Sequence, residues 1–261
     1  MATLPIGIAT RSLRLPLRRA LVRASELGAE GVEIDARNEL RLADMSQTAL
    51  RQLRKLLGDL GLKVAALAFP TRRGYDDPDD LDRRVLATQE AMTFAYKVGA
   101  RVVVNQAGVL PAEDDDPLSG DLANAMELLA AHGERVGARL AFLSGATPAS
   151  QRRLLDRTGP GGVGVAIDPR ALLGGGVAPA DAVAELGADV LHVYAADAVR
   201  EVAGGLAKTA EVELGRGEAD WPELLGRLTE RDYTGWLTAV RGEGPDPASD
   251  LQNAVAYLRT V

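Results

Sequence analysis

Apolar and polar positions along the chain follow one pattern that repeats. Short runs of β-branched and aliphatic residues alternate with longer segments in which apolar residues recur every three or four positions. The longer segments predict amphipathic helices. The short runs predict eight strands, at residues 4–10, 31–35, 63–69, 101–106, 139–143, 163–168, 190–195 and 235–240.

The segment 46–61 shows how one of these helices is delimited. Ser46 is a helix-capping residue type, and Gly61 can adopt the left-handed conformation that ends a helix. Gly99 repeats this signal directly before the strand at 101–106. Between Ser46 and Gly61, one apolar stripe is formed by Leu50, Leu53, Leu57 and Leu60.

The alternation of strands and helices predicts parallel strands joined by helical crossovers. The strands are continuous apolar runs, which is typical of strands covered on both faces. We therefore predict an α/β protein with a single (β/α)8 TIM barrel, one domain over residues 1–261. An open doubly wound sheet is the alternative. The acidic stretch at 111–120 is expected to be a solvated loop within one unit.

Composition narrows the class of protein. Of the 261 residues, 46% are hydrophobic and only 4% aromatic, so the core must be aliphatic. The formal net charge of −7 argues against a nucleic acid partner, because affinity for phosphate backbones depends on Lys and Arg. The chain has no cysteine, no signal-peptide pattern at residues 1–10 and no long uncharged apolar run. We expect a soluble cytoplasmic protein with no membrane partner.

In TIM barrels the working residues lie at the carboxyl ends of the strands. These positions are mostly polar here, and arginine is over-represented among them. A ring of arginines facing a few carboxylates suits a small polar ligand with a carboxylate or phosphate group. The alternative is that Glu33 and Asp35 form structural salt bridges with Arg11, Arg37 or Arg72. The positions are Thr10, Arg11, Glu33, Asp35, Arg37, Thr71, Arg72, Arg73, Asn105, Gln106, Leu143, Ser144, Asp168, Arg170, Tyr194, Asp197, Arg200, Val240 and Arg241.

Five segments, taken in order and spacing, resemble the xylose isomerase-like TIM barrels, the sugar phosphate isomerase/epimerase superfamily. They are "GVEIDAR", "RTGPGGVGVAIDPRALL", "LHVYAADAVR", "LGRGEADWPELLGRL" and "YTGWLTAVR". The resemblance implies one divalent cation held by Glu, Asp, His and Glu at the ends of strands five to eight. It also implies proton transfer next to a sugar carbonyl, with the metal polarising sugar oxygens.

Three of those four ligand positions carry unsuitable residues. Leu143 stands at the strand-five Glu, Tyr194 at the strand-seven His and Val240 at the strand-eight Glu, whereas Asp168 is the only retained family ligand. Leucine and valine cannot coordinate a metal, and neutral tyrosine is a poor ligand. We expect no cofactor; the alternative is a divalent metal (Mn, Mg, Co or Zn). His192 is expected to pack deeper in the barrel.

These observations favour a sugar-binding or non-catalytic barrel with a degraded metal site. Its expected partners are a small polar sugar-like or anionic ligand, and an active paralogous subunit or a second copy of the chain. The alternative is an active isomerase, epimerase or lyase acting on a sugar or sugar acid, with Tyr194 as acid or base. The expected substrate-binding residues are Arg72, Asn105, Asp168, Asp197, Arg200 and Arg241.

Overall fold

The computed structural model describes residues 4–111, 118–203 and 206–261, so most of the expected acidic loop lies outside the described residues. The strands of the described ranges are β1 Ile6–Ala9, β2 Gly31–Asp35, β3 Lys63–Ala68, β4 Val102–Gln106, β5 Arg139–Leu143, β6 Gly164–Ile167, β7 Val190–Ala195, β8 Asp197–Ala203, β9 Leu206–Val212 and β10 Leu237–Ala239. Eight of them are parallel and close into a barrel in the order β1-β10-β7-β6-β5-β4-β3-β2. The other two, β8 and β9, pair with each other as an antiparallel hairpin.

Helices fill the connections between the barrel strands. They are α1 Leu17–Glu26, α2 Gln47–Asp59, α3 Leu81–Val98, α4 Gly120–Val136, α5 Pro148–Thr158, α6 Pro169–Gly174, α7 Pro179–Leu186, α8 Trp221–Glu230 and α9 Pro247–Leu258. No helix within the described ranges combines the length and the apolar character that crossing a bilayer takes.

The predicted (β/α)8 barrel is confirmed, with the strands at 31–35, 139–143 and 190–195 in the predicted places. The expected helix signals also operate. The Ser46 hydroxyl accepts a hydrogen bond from the Ala49 N–H at 3.1 Å, and Gly61 follows α2 with a φ of 68°. These local features hold the helices at lengths that let each strand return to the barrel.

The barrel has an outer and an inner layer of side chains. The outer layer joins strands to helices and is mainly aliphatic, with a few buried aromatic side chains such as Trp221 and Phe142. The inner layer is built mostly from alanine, so the few large or polar side chains inside it share the axis of the barrel. Its buried apolar members are Ala9, Ala66, Val104, Ala141, Ala166, Tyr194, Ala196 and Val240.

The hairpin β8–β9 was not predicted from the sequence, which suggested helices in every gap. It follows β7 directly and packs against α6. The hairpin therefore lies beside the carboxyl ends of β6 and β7, where it contributes side chains to the mouth of the barrel.

Candidate functional site

A cavity of about 230 Å³ lies at the carboxyl-terminal mouth of the barrel. This is the end at which TIM barrels carry their ligand sites. Polar groups come from the segments that follow β1 and β3 and from β4 and β7, and aliphatic groups close the wall near β5. The lining residues are Arg11, Ala68, Pro70, Thr71, Val104, Asn105, Gln106, Leu143 and Tyr194.

The floor of this cavity is a buried ion-pair cluster around Glu33. The Glu33 side chain is fully buried, and Oε1 accepts an ion-paired hydrogen bond from Nη1 of Arg11. The Tyr194 hydroxyl donates to Oε2 of the same carboxylate at 2.5 Å. Arg11 also lies over the Tyr194 ring, at 5.6 Å from its centroid. Both oxygens of Glu33 are therefore occupied by protein donors.

The electrostatics of the cluster set its protonation state. Burial raises the pKa of Tyr194 well above its usual range, and the negative charge of Glu33 raises it further. Burial alone lowers the pKa of Arg11, but Glu33 and Tyr194 outweigh this effect and the net pKa is raised. At neutral pH the guanidinium is charged and the phenol keeps its proton, so Tyr194 acts as a hydrogen-bond donor.

His192 lies below this cluster, in the deeper layer where the sequence placed it. Its Nε2 is 3.6 Å from Oε2 of Glu33, and its ring meets that of Tyr194 edge-on at 5.0 Å. Burial lowers the pKa of His192 to about 4; Glu33 opposes this shift and Arg11 adds to it. Neither ring nitrogen has a hydrogen-bond partner within the described residues, nor does the nearby Thr238 hydroxyl.

The predicted pairing of Glu33 with Arg11 is confirmed. Asp35 behaves differently from the expectation, because it bonds no arginine side chain in the described part of the chain. Its Oδ1 accepts the backbone N–H groups of Arg37 and Asn38, and its Oδ2 accepts from the Asn38 side chain at 2.7 Å. Asp35 therefore fixes the turn that follows β2.

Asn105, an expected substrate ligand, lines the cavity, but its side-chain amide is hydrogen-bonded to other groups of the protein. Its Oδ1 accepts the backbone N–H groups of Thr71 and Gln106, and its Nδ2 donates to the Tyr75 hydroxyl at 2.8 Å. The Gln106 side chain donates to the Thr71 carbonyl at 2.8 Å. Together they hold the loop after β3 rigidly against β4.

Asp168, the retained family ligand, forms a bidentate ion pair with an arginine. Nε and Nη2 of Arg170 donate to its two carboxylate oxygens at 3.0 and 2.8 Å, and the Arg170 backbone N–H donates to Oδ1. The third nitrogen of Arg170 lies 3.3 Å from Oε1 of Glu211 on β9. Arg170 thus lies between the carboxylates of Asp168 and Glu211 and pairs with both.

The donor set at this mouth does not fit a divalent cation. Leu143 and Val240 belong to or pack on the apolar inner layer, and the Tyr194 hydroxyl is committed to Glu33. Residues 4–111, 118–203 and 206–261 contain no group of three or more His, Asp or Glu side chains arranged to hold a metal. Asp168 and Glu211 together offer too few ligands, and both carboxylates already pair with Arg170.

Asp197 and Arg200 are not brought to the mouth cavity. Asp197 is fully buried, and its carboxylate accepts four backbone N–H groups, from Ala198, Gly215, Gly217 and Ala219. Arg200 is exposed on the hairpin and its Nε pairs with Glu218 at 2.6 Å. Asp197 therefore anchors the segment that follows the hairpin, and Arg200 lies outside the barrel.

Arg241 and Arg72 also lie outside the cavity wall. Nε of Arg241 donates to Asp250 at 2.8 Å, and its side chain is only 11% exposed, so it ties α9 to the end of β10. Arg72 is exposed in the loop after β3, in a groove beside the cavity. Sequence reasoning missed Glu211, because the pattern of apolar and polar residues did not predict the hairpin that carries it.

Comparison with known proteins identifies the family of this chain. A family model described as a xylose isomerase-like TIM barrel matches residues 21–261. No curated protein matches the chain at a significant level.

Three solved structures illustrate the likeness. A xylose isomerase domain protein from Planctomyces limnophilus is 21% identical, with a TM-score of 0.86 over 99% of this chain and 97% of its own. A xylose isomerase-like TIM barrel protein from Mycobacterium smegmatis, in complex with magnesium, is 16% identical, with a TM-score of 0.78 over 99% and 98% of the two chains. The 3-keto-D-glucoside 4-epimerase of E. coli is 18% identical, with a TM-score of 0.78 over 99% and 100%. At these identities the likeness concerns the fold.

Proposed function

Because the chain belongs to the family of xylose isomerase-like TIM barrels, we propose that it binds a small sugar-like ligand at the barrel mouth without the metal-dependent chemistry implied by that resemblance. The observation that carries the proposal is the closure of Asp168 by Arg170. The bidentate guanidinium of Arg170 competes with a metal ion for both carboxylate oxygens of the one retained ligand.

The mouth cavity supports the binding part of the proposal. A volume of about 230 Å³ suits a small molecule, and Arg11 presents a side chain that is 34% exposed at its floor. Gln106 and Thr71 add polar atoms to the wall, while Leu143 and Val104 supply an apolar face. A few placed polar groups on a partly apolar concave surface are typical of ligand sites. The E. coli neighbour is an epimerase of a 3-keto-D-glucoside, which favours a sugar-like ligand here.

The same geometry disfavours proton transfer by the cluster. A general base must have a free lone pair towards the substrate, and the Glu33 carboxylate is fully buried beneath Arg11 and Tyr194. The geometry therefore fits a non-catalytic ligand-binding barrel best. Such a barrel would act alone, together with a second copy of the chain, or beside an active paralogous subunit. The absence of cysteine from the sequence favours the reducing cytoplasm as its location.

Metal-independent isomerisation, epimerisation or lyase chemistry is the second candidate, favoured by one observation. The residue Tyr194 lines the mouth cavity, and its hydroxyl could act as an acid only by turning from Glu33 towards a bound sugar oxygen. Turnover of a panel of ketoses and sugar acids by the native protein, lost in Tyr194→Phe and kept in Tyr257→Phe, would establish it. Absence of turnover across the panel rejects it for those compounds.

The primary proposal is tested by two titrations. Calorimetry with Mn²⁺, Mg²⁺, Co²⁺ and Zn²⁺ is expected to show no stoichiometric binding, and a tight one-to-one complex lost in Asp168→Asn would overturn the metal-free site. Binding of neutral ketoses and 3-keto sugars is then followed by amide chemical shifts. Leu143→Trp fills the cavity and should abolish the chemical-shift changes. Leu128→Trp introduces the same side chain at an exposed position of α4 and should leave them unchanged.

A further inference from the structure

Two buried side chains in the deeper part of the barrel have polar atoms that no hydrogen bond reaches. His192 and Thr238 are both 0% exposed. Within the described residues, Nδ1 and Nε2 of His192 and the Thr238 hydroxyl have no hydrogen-bond partner. Buried polar atoms in proteins nearly always bond to another protein group or to ordered water, because an unpaired one costs free energy. The three atoms therefore indicate a small polar molecule within reach of both side chains.

Strand order brings these atoms together with Glu33. The strands β2, β1, β10 and β7 are consecutive in the barrel, and Oε2 of Glu33 on β2 lies 3.6 Å from Nε2 of His192 on β7. In the register, Thr238 of β10 pairs with Tyr194 of β7 and with Gly7 of β1. Paired residues of parallel strands point to the same face, so Thr238 points inwards as Tyr194 does. Its hydroxyl lies between the strands of Glu33 and His192.

Small residues leave room at this place. The interior of a TIM barrel is commonly filled by bulky branched side chains, whereas the inner layer here is mostly alanine. Gly7, on the strand between Glu33 and Thr238, has no side chain at all. A Cβ at Gly7 would lie 3.2 Å from Oγ1 of Thr238 and 3.4 Å from Cβ of Ala65. The Thr238 hydroxyl therefore leans over Gly7, towards the strand that carries Glu33.

Water fits these atoms better than an ion does. The charge of Glu33 is already balanced by Arg11, and the described ranges hold no group of three His, Asp or Glu side chains that suits a metal. A water molecule can accept from an Nε2–H of His192 and from the Thr238 hydroxyl. It can also donate to Oε2 of Glu33, whose second lone pair remains after the Tyr194 hydroxyl has bonded to it at 2.5 Å. Buried waters typically make about three hydrogen bonds.

We propose that a water molecule is bound inside the barrel, where it joins Nε2 of His192, Oε2 of Glu33 and the Thr238 hydroxyl. Arg11 and Tyr194 occupy the Glu33 carboxylate from the other side, so this water is distinct from any ligand of the mouth cavity and does not rest on the proposed function. The hydrogen bond to water fixes His192 in the tautomer with its proton on Nε2. The water thus completes the hydrogen bonding of an inner layer that alanine alone would leave loosely packed.

The first test detects the water in the native protein. The chain has two histidines, so ¹⁵N-histidine labelling gives two imidazole patterns, and His132→Gln assigns them. We expect His192 to show the nitrogen shifts of the Nε2–H tautomer at neutral pH, and its imidazole proton to give a rotating-frame Overhauser cross-peak to a long-lived water. The Nδ1–H tautomer, a protected imidazole proton without that cross-peak, or a proton that exchanges too fast to observe would each overturn the proposal.

The second test distinguishes a hydrated Thr238 hydroxyl from an unpaired one by the sign of a stability change. Thr238→Val keeps the shape of the side chain and removes the hydroxyl. If the hydroxyl bonds the water, the urea midpoint falls and the His192 cross-peak weakens; a raised or unchanged midpoint would overturn the role of Thr238, because removing an unpaired buried hydroxyl is not destabilising. Thr238→Ser keeps the hydroxyl and should keep the cross-peak. Thr88→Val is the matched control, since the buried Thr88 hydroxyl donates to the Arg84 carbonyl at 2.9 Å, and its midpoint should fall.

Discussion

Tyr194 and Glu33 are 161 residues apart in the sequence, and their side chains meet at 2.5 Å inside the barrel. The hydroxyl lies on β7 and the carboxylate on β2, so this one hydrogen bond joins two strands that are separated in the barrel by β1 and β10. Arg11 closes the same carboxylate from the mouth side. The cluster is the polar centre of an inner layer that is otherwise mostly alanine.

Removing the Tyr194 hydroxyl should show how much this hydrogen bond contributes to the free energy of unfolding. Tyr194→Phe keeps the ring but leaves Oε2 of a fully buried carboxylate without its donor, so we expect the free energy of unfolding to fall by about 1–3 kcal/mol. Urea denaturation of the native and variant proteins measures the change. Tyr257→Phe is the control, because the half-buried Tyr257 hydroxyl forms no hydrogen bond with the described residues, and it should change stability by less than about 0.5 kcal/mol.

The ion pair predicts a strong coupling between Arg11 and Glu33. Arg11→Met should cost about 3 kcal/mol or more, because it leaves a buried carboxylate without its counter-charge. In Arg11→Met/Glu33→Gln the unpaired charge is gone, so the double variant should be more stable than Arg11→Met. The measurement is a double-mutant cycle from denaturation curves. Additive losses would show that the two side chains act independently.

The sequence was sufficient for the barrel because every unit carries the same local signals. Helix stripes, Ser46 and the glycines after helices act within a few residues, and parallel strands with crossovers leave few topologies. The sequence also shows that Leu143, Tyr194 and Val240 are residue types that suit a metal poorly, whereas the degraded metal site itself stays a prediction.

The partners of the charged residues could not be predicted in the same way. Arg170 bonds the neighbouring Asp168, but its other contact, Glu211, lies on a hairpin whose residues alternate weakly. Asp197 and Arg200 were expected at the mouth because they follow β7, yet the hairpin that begins at Asp197 turns them away. A side chain at a strand end can face the cavity or a loop, and only the loop path decides which.

The segment after the hairpin should depend on Asp197. Asp197→Ala removes a buried carboxylate that accepts four backbone N–H groups, so we expect a loss of about 3 kcal/mol or more and faster amide exchange at residues 215–219. Hydrogen exchange read by mass spectrometry measures the second effect.

A steric variant provides an independent check of the same anchor. A Cβ at Gly217 would lie 2.1 Å from Oδ1 of Asp197, so Gly217→Ala should loosen the same amides. Gly226→Ala, where a Cβ meets nothing within 4 Å, should leave them unchanged. Normal protection at 215–219 in both Asp197→Ala and Gly217→Ala would refute the anchoring role.

Stability should fall on acidification through His192. Its pKa is about 4 in the folded protein, because burial disfavours the imidazolium, against about 6.5 in an unfolded chain. Between these values the unfolded state binds a proton that the folded state does not, so the free energy of unfolding rises with pH and is lost as pH falls from about 6.5 towards 4. The full difference is about 3 kcal/mol for one group.

The ionisable groups facing His192 are Glu33, Tyr194 and Arg11, and all three remain in His192→Gln. Subtracting the stability curve of that variant from the native curve therefore isolates the histidine. His132→Gln is the matched control, since His132 is only half-buried on α4 and bonds Thr93 at 2.9 Å. With two histidines in the chain, imidazole chemical shifts should also give one midpoint near 4 that disappears in His192→Gln. A His192 midpoint near 6.5, or parallel native and His192→Gln curves, would mean that water or a proton reaches the inner layer freely.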